Sequence, residues 1–288
     1  MNKIMHMQAA SKAKDLEWLD DMLLRAQSRI VTRAAELTPA IAEALIGLNP
    51  GNRTVSAATV EKYARDMAAG AWAANGESII ISRCGLLNDG QHRCAAVIMA
   101  GVTIPAIFVA GVERETRTTV DQGKARTAAD YLSMNGHKDA HRLSAAAKYI
   151  WQFGQRNELS QQTHFAPTKI EVMQTIDGDP SIAASLAAVP KKGAETVGGR
   201  SVLTFARWAM SRRSGTDDAD DFISALVHGH NLAPRDPILY ARNRLLAEKR
   251  LTPNEKAELI FRAWNAHRRG QSVATLPIKG GPLPRLER

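Results

Sequence analysis

Apolar positions along this chain change character near its middle. From Ser11 to about Leu48 they recur at helical spacing, with Leu16, Leu19, Leu23 and Leu24 followed by Ile41 to Ile46 after Pro39. Asn49-Pro50-Gly51-Asn52 is a turn cluster, and Ser56 opens a helix through Val60, Tyr63 and Met67 that Gly70 ends. Trp72 to Ile81 reads as a turn into a strand buried at Ile79-Ile80-Ile81, and Gly85 lets the chain double back. Cys94 to Met99 reads as an apolar helix and Thr103 to Ala110 as another strand, while Thr116 to Val120 is ambiguous. After Thr127 only helical periods remain. Leu132, Leu143, Ala147, Ile150 and Trp151 suggest a helix pair broken at Asn135-Gly136, and Pro167-Thr168-x-x-Glu171 is a capping-box signature. Further helices are expected near 200–212, 218–228, 236–248 and 254–269, and the Gly- and Pro-rich tail from Gly270 reads as a loop or extended strap. The expected fold class is α+β: a helical extension over 1–48, a compact α+β domain over 49–130 and an all-α domain over 131–288.

Composition narrows the setting. The 288 residues are 44% hydrophobic and 23% charged, ordinary values for a globular chain. No apolar run approaches the roughly 20 residues of a membrane span, so no membrane partner is expected. Lys3, His6 and Lys12 precede no apolar segment of the secretory kind. Cys84 and Cys94 form no disulfide framework and no C-x-x-C pair, which points to a reducing cytoplasm. The net charge of +9 is segregated: residues 135–288 hold 23 Lys and Arg against 15 Asp and Glu, and residues 1–134 hold 15 against 14. A one-sided basic excess points to a polyanion, with nucleic acid the leading partner.

The densest chemistry lies in Asp89-Gly90-Gln91-His92-Arg93, between the buried strand and the apolar helix. Backbone N–H groups in a first helical turn are unpaired and carry partial positive charge, which suits a phosphate. Gly90 lets the backbone approach, and Arg93 can add a bidentate contact. The plainer reading is a turn with Asp89 as N-cap, which leaves Gln91, His92 and Arg93 unexplained.

The run Trp72-x-x-Asn75-Gly76-Glu77-x-Ile79, then Leu87-x-Asp89-Gly90-Gln91-His92-Arg93-x-x-Ala96, resembles the ParB N-terminal/sulfiredoxin-like superfamily, in particular its phage and mobile-element branch with a DGQHR box. Asn52-Arg53 and Asp121-x-Gly123-x-x-Arg126-Thr127 are similar to flanking elements of that branch. The resemblance covers about 49–130 and implies a small mixed sheet, a bacterial cytoplasmic setting, and ATP or CTP bound at the box. It would place Asp89, Gly90, Gln91, His92 and Arg93 around the phosphates, with Arg53, Arg126 and Thr127 beside them. A triphosphate brings Mg²⁺, for which Asp89 and Glu77 are the nearest carboxylates in sequence; Glu77 could instead be a base. Gln91 stands where sulfiredoxins carry their nucleophilic cysteine, so their chemistry is not expected. Cys94 reads as a buried thiol.

Two further clusters suit a DNA backbone: Arg207, Arg212 and Arg213 around Trp208, and Arg262, Arg268 and Arg269 around Trp264, with the tryptophans as core anchors. His137 with His141 and His228 with His230 lack a third ligand, so no metal site is expected. These features frame a nucleotide-binding, DNA-associated protein that could hydrolyse its nucleotide and could act as a homodimer. The alternatives are a phosphoryl-transfer enzyme or nuclease, and a regulator with a vestigial box.

Overall fold

The computed structural model describes residues 16–50, 52, 54–118 and 126–288. The chain divides into two compact units, residues 1–125 and 126–288, each with its own buried apolar cluster.

In the first unit, helix α1 over 16–26 leads to β1 (Val31–Leu37), α2 (Pro39–Gly47), α3 (Ala57–Ala68), β2 (Ser78–Ser82), β3 (Leu87–Asp89), α4 (Gln91–Ala100) and β4 (Ile104–Val112). The four strands form one mixed sheet in the order β1-β4-β2-β3. β4 is antiparallel to β1 and parallel to β2, and β3 folds back antiparallel on β2. Gly85 makes that reversal, as its place between the two apolar runs predicts. By register Ile79, Ile81, Phe108 and Ala110 share one face, and all are fully buried with Cys94 and Val97 of α4. A fully buried Ile or Phe contributes about 1.5–3 kcal/mol, so this shared face holds sheet and helices together.

The expected helical extension over 1–48 is corrected at Val31–Leu37. Its Ala-Ala-Glu core favours helix locally, yet it pairs with β4 from Val31 opposite Ala110 to Leu37 opposite Ile104. Seven residues of ladder with a partner some seventy residues away outweigh a weak local preference.

In the second unit the described residues form helices joined by turns: α5 (Ala128–Met134), α6 (Ala140–Arg156), α7 (Lys169–Asp177), α8 (Ser181–Ala188), α9 (Arg200–Ser214), α10 (Thr216–His228), α11 (Pro237–Ala247) and α12 (Pro253–Arg268). The Thr168/Glu171 capping box is present as expected, and Thr127/Asp130 and Thr252/Glu255 repeat it. Phe205, Phe222, Phe261 and Trp264 fill the core. The tail past Gly270 is a strap that hides Leu276, Leu283 and Leu286. Side chains of α12 hold its backbone: fully buried Glu258 accepts from the N–H of Lys279 and Gly280, and Asn265 bonds Arg285 O and Glu287 N at 2.8 and 2.9 Å.

Candidate functional site

Gly90 joins β3 to α4 with φ +108°, and a Cβ there would stand 2.5 Å from Ile79 Cδ1. Only glycine fits this left-handed turn against the strand. Gly90 is therefore the N-cap, and the first turn of α4 has no side-chain cap. The alternative with Asp89 as cap is corrected: Asp89 is still in the β3 ladder opposite Ile80, and its carboxylate turns to Arg93 at 3.0 Å.

Arg93 departs furthest from expectation. Its side chain is 9% exposed. It donates to Glu77 O at 2.7 Å, Ser78 O at 2.6 Å and Asp89 Oδ2 at 3.0 Å. The fork expected on a phosphate is spent bracing α4 to the head of β2, where two backbone carbonyls converge on it.

Gln91 and His92 tie the loop between α2 and α3 to the head of α4. Gln91 Oε1 accepts from Asn49 Nδ2 at 2.9 Å, and His92 Nε2 accepts from the Ser56 backbone N–H at 3.1 Å. Ser56 is itself the N-cap of α3, so the positive ends of α3 and α4 meet across this loop. Asn52 lies in the same loop, bonding Asn49 and donating to Leu87 O at 2.7 Å. Arg53 lies outside the described residues, as do Asp121 and Gly123.

Arg114 is a member of the site that sequence reasoning missed. Its guanidinium donates to Leu87 O (2.5 Å), Asn88 Oδ1 (2.8 Å) and Pro50 O (2.8 Å), joining the loop to β3. The sequence offers only an arginine two positions beyond a strand, a weak signal.

The two predicted carboxylates have different neighbours. Asp89 serves Arg93, while Glu77 lines a different cleft of about 450 Å³ with Glu36 and Pro105. Cys94 is buried, and desolvation pushes its thiol up to about 12. That agrees with a packed, unreactive thiol. Thr127 belongs to the second unit, where it caps α5 by bonding Asp130; Arg126, just before it, is exposed.

No protein-family model, characterised protein or solved structure matches this chain.

All six arginines expected on DNA have partners within the second unit. Arg207 is buried, with Nε and Nη2 on Asp220 at 2.5 and 2.9 Å and Nη1 on Ser185 at 3.0 Å. Arg262 pairs with Glu258, Arg268 with Asp218, Arg269 with Glu287 and Arg212 with Asp179. Arg213 donates from Nε to Leu286 O at 3.0 Å. The spacing reveals the arginine rows but not the carboxylates and strap carbonyls facing them. Arg207 is buried and paired, as a buried guanidinium must be, and partly buried Arg262 lies against fully buried Glu258. Trp264 is the core anchor expected; Trp208 is only partly buried.

Proposed function

We propose that the first unit binds the phosphates of ATP or CTP at the head of α4, in the manner that the DGQHR resemblance implies, and that the protein associates with DNA. The observation that carries the reading is the first turn of α4, opened by Gly90 without a side-chain cap and facing the N-terminus of α3 across the 49–56 loop. Two helix N-termini and Arg114 make an electropositive setting for an anion, and Arg53 lies in that loop's sequence between Asn52 and Ser56. In this reading Gln91, His92 and Arg93 position the backbone donors, and Arg53 supplies the cationic contact. Asp89, engaged by Arg93, favours binding over phosphoryl transfer in this reading.

DNA association rests on the basic excess of the second half. With the six arginines paired internally, the reading passes to exposed Lys191, Lys192, Lys249 and Arg250. Calorimetry with millimolar ATP or CTP and Mg²⁺ tests the first part. Binding that is lost in Arg53→Ala, with the melting temperature of the free protein unchanged, is the expected result. Absence of binding by the unaltered protein sinks it. DNA affinity should fall steeply between roughly 50 and 200 mM salt as counterions are released, and a flat response refutes the second part.

A further inference from the structure

The second unit contains a cleft of about 440 Å³ between α9, the end of α6 and the strap. That volume lies within the roughly 300–1,000 Å³ of small-molecule sites. Phe153, Trp208 and Leu286 give it apolar walls, and Arg212, Arg213 and Arg285 stand around it. The strap wall is fixed: Asn157 exchanges two 2.7 Å bonds with Leu283, Asn265 holds Arg285 O, and Trp264 donates to Glu287 O.

The guanidinium donors around this cleft are only partly used. Arg212 lies over the Trp208 ring at 5.3 Å and shares Asp179 with the indole N–H. Arg213 uses only Nε, on Leu286 O, and its two terminal nitrogens meet no acceptor among the described residues. The Arg285 guanidinium is exposed, with no hydrogen-bond or ion-pair partner among those residues. Two guanidinium groups thus keep unused donors beside an apolar cavity, with Asp179 opposing only the third.

We infer that this cleft binds an amphipathic anion, its apolar body against Phe153, Trp208 and Leu286 and its head on Arg213 and Arg285. A carboxylate, or two of a sulfonate's three oxygens, can take two donors of a guanidinium fork, and a water-excluding wall beside it strengthens the contact. Arg212 already covers the Trp208 ring, so a body that fills space suits the cleft better than a stacked base. The inference is independent of the nucleotide reading, since it concerns the other unit.

The probes are anilinonaphthalene sulfonate, followed by fluorescence, and decanoate as competitor on the full chain. One equivalent of dye should bind and be displaced by decanoate, but not by acetate or decanol at equal concentration. Arg285→Gln should weaken decanoate roughly tenfold, the scale of one charge-assisted hydrogen bond, with unchanged circular dichroism. Arg285 is chosen because its side chain does not hold the strap. Equal decanoate affinity in the variant, decanol binding as tightly as decanoate, or displacement by duplex DNA but not decanoate would each overturn the proposal.

Discussion

Replacing Arg93 by alanine separates a phosphate ligand from an internal brace. Truncation removes the charged donors from Glu77 O and Ser78 O, which lie 2.7 and 2.6 Å away, and frees Asp89. A hydrogen bond to a charged group contributes about 1.5–3 kcal/mol. The Asp89 bond is discounted, because that carboxylate is 33% exposed and water replaces the donor. The two carbonyl bonds at the low end, with the packing of the buried stem, give about 3–4 kcal/mol. That is a large part of the roughly 5–15 kcal/mol that holds a domain folded. Hydrogen exchange read by mass spectrometry localises the loss. Amides of β2 and α4 should exchange several hundredfold faster, since each 1.4 kcal/mol is roughly tenfold. Amides of α9, in a separate core, should keep their protection. The reasoning is refuted if β2 and α4 stay protected while ATP or CTP binding disappears, because Arg93 would then be a ligand and not a brace.

Thiol titration should modify Cys84 within minutes and Cys94 only on unfolding, since Cys84 is exposed while burial raises the Cys94 thiol to about 12. Two equivalents reacting at once would contradict the packing. Acid should destabilise the second unit through Asp139, which the Arg200 hydrogen bond holds below its ordinary 3.8. Burial pushes Asp179 upward, but hydrogen bonds from Ser181 and Trp208 outweigh it and leave Asp179 lowered as well. A carboxylate whose folded pKa is depressed stabilises fully above its unfolded value and loses that contribution as pH falls through the folded one. Urea midpoints should therefore hold steady down to about pH 5 and drop below about pH 4. Asp139→Asn should flatten that drop, and an unchanged acid slope would show that the pair with Arg200 contributes nothing.

Much of the scaffold was legible in the chain because its signals are local. The strand over Ile79–Ile81 with its turn at Gly85, the helix after the box, the Thr168/Glu171 cap and the strap all follow from periods, turns or caps within a few residues. β1 was not legible, because Val31–Leu37 is a strand only by virtue of β4. Arg114 was hidden for a related reason: its partners at Pro50 and Leu87 are brought to it by the fold.

The sequence by itself determined most of the helices, the strands around Ile79–Ile81 and Thr103–Ala110, where the polar box falls, and that basic charge gathers in the second half. Tertiary structure alone decided what each cation faces. Arg93 turns inward to β2, Arg207 meets Asp220, and Arg213 and Arg285 are left with donors to spare beside an apolar cleft. The physical reason is that apolar periodicity fixes which side of an element is buried, whereas the partner of a long charged side chain depends on elements packed against it from far along the chain.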